Sequence, residues 1–205
     1  IPVLLAVLIA LLVAGLVGLV NGLLIAYLGL PPLVITLATS AILMGAALYV
    51  LPQPGGSVPR WFADIPLLLI GPLPFSLVLT VGIPMLLWYP IRRSALGPAI
   101  MAVGEDELAA FTSGIRVRAV RASTYVLGAV FASLGGVLIT MTSMSGDPKI
   151  GVSFTMRAIA AAVLGGTLLA GGRGTLAGTI AGAVTLQLIG NLLFSLGINQ
   201  YWLPR

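Results

Sequence analysis

Residues 92–121 read RRSALGPAIMAVGEDELAAFTSGIRVRAVR, and this stretch carries eight of the fifteen charged side chains in the chain. No charged residue precedes Arg60, and none occurs between Ala122 and Gly146. The stretches on either side are apolar and long enough to cross a lipid bilayer. A chain that gathers its charges between such stretches is expected to expose the charges to water and to bury the rest in lipid.

The composition predicts an integral membrane protein. Of 205 residues, 59% are hydrophobic and 7% are charged, whereas a soluble domain has about a quarter charged residues. The net charge of +5 does not predict nucleic-acid binding, because half of the ten basic residues lie in the 92–121 stretch, as expected for a cytoplasmic loop. No stripe of basic residues interleaved with aromatics occurs.

Cysteine and histidine are both absent from the chain. Their absence excludes thiol catalysis, disulfides, haem ligation, nearly all zinc sites and a Ser-His-Asp triad. The sequence therefore predicts no catalytic residue, no metal site and no cofactor in this chain, and the chain is not expected to be an enzyme.

Six apolar segments predict an all-α polytopic membrane protein, a single transmembrane domain over residues 1–205. The fifth segment, Ala158–Ala170, is too short to span the bilayer alone. It crosses only if Val152–Met156 extend it and Arg157 reaches the interface. A re-entrant segment is the alternative. The chain is expected to be a fragment that lacks helices at both ends. The segments are Val3–Leu28, Leu33–Leu51, Phe75–Tyr89, Ala122–Thr142, Ala158–Ala170 and Thr175–Leu196.

The distribution of Lys and Arg predicts the orientation. Residues 91–121 hold five basic residues, so they are expected to form a cytoplasmic loop. Alternation of the spans then places Pro52–Pro74 and Ser143–Met156 outside, and Gly171–Gly174 inside.

Within this loop, the sequence from Gly104 to Ile115 predicts a short amphipathic helix. Acidic residues open it, where the helix macrodipole favours negative charge, and Leu108, Phe111 and Ile115 share one face. Gly114 suits the left-handed conformation that ends a helix. Such a short helix needs a cover for its apolar face: either the chain's own helices or the lipid interface, or the groove of a soluble subunit. The candidate docking residues are Gly104, Glu105, Asp106, Glu107, Leu108, Phe111, Ser113, Gly114 and Ile115.

A few uncharged polar residues lie inside the apolar segments. Each could bond a neighbouring helix, or together they could line a path for an uncharged, hydroxyl-rich solute. No acidic or basic residue is expected well inside a span, which argues against an ion-coupled carrier. The pathway candidates are Asn21, Thr36, Thr39, Gln187 and Asn191.

Gly174, Gly178 and Gly182 recur every four residues and share one helix face. In lipid, small residues at this spacing let two helix backbones approach closely, so these glycines predict a helix-packing seam. A phosphate-binding loop would need Lys followed by Ser or Thr, and Gly172-Arg173 does not supply that.

Three stretches resemble the permeases of ATP-binding-cassette (ABC) sugar importers of the ribose/xylose/galactose type, which are related to branched-chain amino-acid permeases. They are Asn21-Gly22 with LPPLVITLAT at 30–39, the loop from Ala102 to Arg121, and AIAAAVLGGTLLAGGRGT at 158–175. The last is the most specific of the three. The motifs occur in family order and cover nearly the whole chain.

The resemblance implies the permease fold of the vitamin-B12-importer-like class. Two permease subunits, alike or different, would surround a central pathway, and each would rest on an ATP-binding subunit that holds ATP and Mg. An extracytoplasmic sugar-binding protein would deliver the solute. Glu105–Ser113 would be the coupling helix that sits in the ATPase cleft. The run Glu105-Asp106-Glu107 has more acids than many relatives carry.

The sequence therefore predicts a transport subunit in the bacterial inner membrane that imports a monosaccharide or similar polyol. A branched-chain amino-acid permease is the nearest alternative. An ion-coupled secondary transporter and a non-transporting membrane scaffold are more distant ones.

Overall fold

The computed structural model describes residues 2–67, 69–70, 73–168, 171–172 and 174–196. In this part of the chain the fold is all-α, as predicted, apart from two paired strands of two residues each, Leu69–Ile70 and Leu73–Pro74. A short 3₁₀ turn covers Ile65–Leu67. The helices are α1 Val3–Leu28, α2 Pro32–Val50, α3 Arg60–Ala63, α4 Phe75–Arg93, α5 Leu96–Glu105, α6 Glu107–Thr112, α7 Val117–Ser143, α8 Ile150–Leu164 and α9 Leu176–Ser195.

Five of these helices, α1, α2, α4, α7 and α9, are long and apolar enough to cross a membrane. They confirm five of the six predicted segments. Large apolar side chains are exposed along them, for example Leu33 on α2 and Leu86 on α4. Because so much apolar surface is incompatible with water, the chain is a multi-pass membrane protein.

Contacts between Cα atoms divide the chain into two compact units. The first unit comprises Ile1–Val103 and Glu107–Pro148, and the second comprises Gly104–Asp106 and Lys149–Arg205. The first contains α1 to α4, α6, α7 and most of α5. The second contains α8 and α9.

In the first unit, α1 and α7 pack against each other with almost no space between their backbones. A Cβ atom built on Gly18 would lie 2.6 Å from the carbonyl oxygen of Tyr125. One built on Gly22 would lie 2.7 Å from that of Ala122. The pairs run in opposite order along the two helices, so α1 and α7 are antiparallel. Small residues allow this approach, which compensates for the weak hydrophobic force between helices in lipid.

A single polar bond joins α1 to α2. The hydroxyl of Thr39 donates to the Asn21 side-chain oxygen at 2.6 Å, and the pair is partly buried. Thr36, one turn earlier on α2, instead donates to the backbone oxygens of its own helix, at Pro32 and Leu33. The Thr39 hydroxyl therefore contributes to helix association, whereas the hydrogen bonds of the Thr36 hydroxyl stay within α2.

In the second unit, α8 and α9 pack antiparallel through glycines. A Cβ atom built on Gly178 would collide with the carbonyl oxygen of Gly165, and one built on Gly182 with that of Ala161. Gly174 lies before the start of α9, where a Cβ atom would meet the Thr167 side chain at 2.9 Å.

The fifth predicted segment differs from the observed helix. Helix α8 covers Ile150–Leu164, so it begins inside the predicted external connection and ends before Gly165. Gly166 adopts φ +82° and its N–H bonds the carbonyl of Val163, while the Thr167 N–H bonds that of Ala162. This pair of bonds is a Schellman ending, which a glycine at that position favours. Residues 169 and 170 lie outside the described residues.

Helix α8 is too short to cross the hydrocarbon core of a bilayer completely. Its fifteen residues extend about 22 Å at 1.5 Å per residue, against about 30 Å of hydrocarbon. Arg157 lies in the middle of this helix and is exposed.

Helix α7 is also longer than the predicted segment, because it begins at Val117 inside the charged loop. Arg118 and Arg121 are therefore helical residues of its first turns. Long basic side chains at a helix end can place their charge at the membrane surface while their stems lie along apolar surface.

Loop segments that are distant in sequence are in backbone contact at two places. Gly55 and Gly146 exchange two backbone hydrogen bonds of 3.0 and 2.9 Å, so the α2–α3 and α7–α8 connections lie at one end of the first unit. Within the second unit, Gly104 lies against Gly171 and Gly172.

Single cysteines test this sidedness, since the chain has no native cysteine. Ser57→Cys and Ser143→Cys, both exposed, are expected to react with a membrane-impermeant maleimide added outside intact cells. Ser113→Cys is expected to react only after the membrane is permeabilised. External labelling of Ser113→Cys in intact cells would invert the predicted orientation.

Replacing Thr39 with Val is expected to destabilise the protein by about 0.6 to 2 kcal/mol, since it removes an interhelical hydrogen bond within the membrane. Thr36→Val is the matched control, because that hydroxyl bonds only its own helix and such bonds add little. Thermal or denaturant unfolding of the purified protein measures both. Equal effects of the two substitutions would contradict the role given to the Asn21–Thr39 bond.

Candidate docking helix and polar residues

The charged loop contains two helices in place of the one predicted over Glu105–Ser113. Helix α5 ends at Glu105 and α6 covers Glu107–Thr112, with Asp106 non-helical between them. The sequence-based boundary was wrong because Asp106 occupies the position immediately before α6, where Asp is favoured and helical geometry is absent. Only Glu107 therefore lies in the first turn of α6, where its charge suits the macrodipole.

Helices α4 and α5 are in close backbone contact where the chain enters the charged loop. A Cβ atom built on Gly97 would lie 2.7 Å from both the Cα and the carbonyl oxygen of Arg92. At the end of α4, the Arg93 guanidinium lies 4.4 Å from the ring centroid of Tyr89. An aromatic ring under a cation is typical of a helix end at the membrane surface.

Helix α6 ends in a Schellman motif centred on Gly114. Gly114 adopts φ +81°, its N–H bonds the carbonyl of Phe111 at 3.0 Å, and the Ile115 N–H bonds that of Ala110 at 3.1 Å. These are the two hydrogen bonds that define the motif. The hydroxyl of Ser113 donates to the carbonyl of Ala109 at 2.8 Å. The chain direction between α6 and α7 is thus set by backbone bonds.

An ion pair joins α6 to α7. The guanidinium of Arg121 donates to a carboxylate oxygen of Glu107, and the two side chains are 37% and 52% exposed. Solvent screening keeps the stabilisation from such an exposed pair at about 1 kcal/mol or less. Its contribution is therefore orientation: it holds the first turn of α6 beside the first turns of α7.

The two sides of α6 differ sharply in exposure. Ala110 is 3% exposed, whereas Leu108 is 72% and Phe111 is 68% exposed. Ile115, beyond the end of α6, is partly buried. The helix therefore buries one of its two alanines, Ala110, and presents its two large apolar residues outward. Within the described residues, the side chains of Leu108 and Phe111 thus stay mostly exposed.

The predicted pathway residues occur as two hydrogen-bonded pairs, one in each compact unit. Asn21 bonds Thr39 in the first unit, as described above. In the second unit, the Gln187 amide nitrogen lies 3.3 Å from the Asn191 side-chain oxygen, one turn further along α9, and both residues are exposed. Thr36 belongs to neither pair. The bonds engage one group of each side chain, so the Asn21 amide group and the Gln187 oxygen keep hydrogen-bonding capacity.

Sequence reasoning missed the partners that hold these residues in place. Arg121 was only part of a charge count, because fourteen positions separate it from Glu107 and no helical spacing relates the two. The close packing at Gly18 and Gly22 was detectable, since their spacing of four is the same signal that was used for Gly174, Gly178 and Gly182. Among the described residues, no group of three or more His, Cys, Asp or Glu side chains could hold a metal ion.

Comparison with known proteins places the chain among permeases. Over residues 1–203 it matches the model of a family described as the branched-chain amino acid transport system / permease component. It is 32% identical to the D-allose transport system permease protein of Escherichia coli (strain K12), over 98% of this chain and 62% of that protein. No solved structure matches the chain.

Two further relatives agree with this match. The ribose import permease protein of Bacillus subtilis (strain 168) is 32% identical over 89% of this chain and 58% of that protein. The galactose/methyl galactoside import permease protein of Escherichia coli (strain K12) is 31% identical over 98% and 62%. The chain thus spans about three fifths of the length of these relatives. It belongs to the family of branched-chain amino acid transport system permease components.

Proposed function

We propose that this chain is part of a permease subunit of an ATP-driven ABC importer in a bacterial inner membrane, and that the importer carries a monosaccharide or similar polyol. The observation that carries the proposal is the similarity along 98% of the chain to a permease named for a sugar. The chain itself performs no chemistry, and residues 91–121 are its cytoplasmic coupling loop.

In this proposal α6 is the docking element for an ATP-binding subunit. Leu108 and Phe111 form an apolar surface of the kind that fits a hydrophobic groove, and both side chains are mostly exposed within the described part of the chain. Of the remaining candidates, Glu105, Asp106, Ser113, Gly114 and Ile115 flank or shape that contact, whereas Gly104 packs against the Gly172 backbone and makes no contact with the partner in this proposal. ATP and Mg belong to the partner subunit.

The energy of ATP must reach the membrane helices through contacts that differ between states of the partner. A partner that binds α6 equally well before and after ATP binding would shift nothing. Since Arg121 holds Glu107 and the Gly114 turn fixes the exit of α6, a displacement of α6 is passed to the start of α7. Close packing of α7 on α1 at Gly18 and Gly22 extends that displacement into the membrane.

The solute path is proposed to pass between this chain and a second permease subunit. Asn21, Thr39, Gln187 and Asn191 offer amide and hydroxyl groups, which suit an uncharged solute rich in hydroxyls, and Thr36 is a weaker candidate. An extracytoplasmic sugar-binding protein would deliver the solute at the loops that meet at Gly55 and Gly146.

A branched-chain amino acid is the second candidate solute, because the matching family is described by that transport system. The relatives named for allose, ribose and galactose favour the sugar. An ion-coupled carrier fits less well. Within the described part of the chain, α1, α2, α4, α7, α8 and α9 contain no acidic residue, and intramembrane carboxylates are typical of proton relays.

Replacing Phe111 with Asp is expected to weaken association with the ATP-binding subunit about tenfold or more, because a charge would enter the apolar centre of the contact. Co-purification and titration of the two subunits measure this. Leu96→Asp is the matched control, since Leu96 is also an exposed apolar residue of the same loop but lies outside α6. Unchanged association and uptake for Phe111→Asp would favour the scaffold alternative.

The solute is tested by uptake into right-side-out or reconstituted vesicles that contain the permease and its ATP-binding subunit, with ATP enclosed and the binding protein added outside. Uptake of labelled ribose, allose or galactose is expected to require ATP and to persist after the proton and sodium gradients are collapsed. Uptake of leucine in place of every sugar would support the amino-acid alternative. Uptake that stops with the ion gradients would exclude ATP as the driving force.

A further inference from the structure

Three glycines from two separate segments meet at one end of the second unit. A Cβ atom built on Gly104 would lie 2.7 Å from the backbone nitrogen of Gly172. One built on Gly171 would lie 3.0 Å from the carbonyl oxygen of Gly104, and one built on Gly172 would lie 2.8 Å from the Cα of Glu105. The two backbones are therefore in direct contact. We call this contact, formed by Gly104, Gly171 and Gly172, the glycine junction.

The conformation of the junction, as well as its spacing, requires glycine. Gly171 and Gly172 adopt φ of +98° and +79°, a region that side-chain-bearing residues rarely occupy. Gly104 is different, because it lies within α5 and has helical geometry. Alanine is a better helix former than glycine there, so the glycine at 104 is explained by the contact and by nothing in its own helix.

The glycine junction connects the end of α5, which leads into α6, with the connection between α8 and α9. On one side, Gly104 is followed within three residues by Glu107, the first residue of α6. On the other side, Gly171 and Gly172 lie in the connection between α8 and α9, whose backbones are in contact at Gly165, Gly178 and Gly182. The Gly171 N–H bonds the carbonyl of Leu168 at 3.0 Å, so backbone contacts lead from Gly104 to the residues that follow α8.

We infer that the glycine junction passes the movement of α6 to α8 and α9 during transport, with Gly104 as a positioning residue. Side-chain contacts can absorb a displacement by changing rotamer, whereas backbones in contact have no rotamer to change. Close-packed contacts of this kind transmit strain. This inference rests on the proposed function of α6 and adds a second route, separate from the one through Arg121 to α7.

The test is Gly104→Ala in the assembled importer. The added methyl group must push the Gly172 backbone away, while α6, Leu108 and Phe111 are unaltered. Association with the ATP-binding subunit and ATP hydrolysis are expected to stay within about twofold of the unmodified importer, and uptake is expected to fall about tenfold or more, as for loss of an allosteric coupling. Gly128→Ala is the control, because a Cβ atom at Gly128 in α7 meets nothing within 4 Å; its uptake should not change.

The two proposals fail in different ways. Normal uptake by Gly104→Ala, with assembly lost in Phe111→Asp, would overturn the junction and leave the docking helix in place. Normal assembly and uptake by Phe111→Asp would overturn the docking helix. Joint loss of association and uptake in Gly104→Ala would also overturn the junction, because a transmission contact is not needed for assembly.

A second measurement does not depend on the folding of Gly104→Ala. Spin labels at Asp106→Cys and Ala177→Cys report the distance across an intact junction in the nucleotide-free and ATP-bound importer. If the junction moves as one body, this distance is expected to stay the same within about 2 Å, the size of small helix shifts. A change of about 3 Å or more, half a helical turn, would show that the two sides separate and would overturn the inference.

Discussion

Close approach of backbones at glycine is the constraint on which this structure depends. Between helices in lipid the hydrophobic effect contributes little, so association requires dispersion contacts and occasional hydrogen bonds. Gly18 and Gly22 provide the contacts between α1 and α7, and Gly178 and Gly182 provide them between α8 and α9. The Asn21–Thr39 bond adds a polar contact between α1 and α2. Most of the large apolar side chains point away from these seams.

A different physical constraint governs the charged loop, residues 92–121. Basic residues at the ends of α4 and α7 keep the loop in water, while Arg121 and the Gly114 turn orient α6 within it. In this orientation, the apolar side chains of Leu108 and Phe111 stay exposed, which is unfavourable in water. A helix of six residues is not stable in water on its own, so its apolar face needs a cover, which the proposed docking to an ATP-binding subunit would supply.

The sequence predicted the spans well and the loop geometry less well. Apolar runs of twenty residues have one stable form in a bilayer, which is why α1, α2, α4, α7 and α9 were recognisable. The break at Asp106 and the end of α8 at Gly165 depend on capping and on tertiary contacts, which hydropathy does not record. The Glu107–Arg121 pair and the contact of Gly104 with Gly172 link positions that are distant in sequence, and no periodicity within one segment indicates them.

The tie between Gly55 and Gly146 has an evolutionary consequence. It consists of two backbone hydrogen bonds, so it places few demands on the side chains around it. Neighbouring positions in these two loops are therefore free to diverge in charge and shape while the ends of α2 and α7 keep their separation. Such a backbone contact would let related transporters change their loop surfaces to suit different delivery proteins while the membrane helices keep their arrangement.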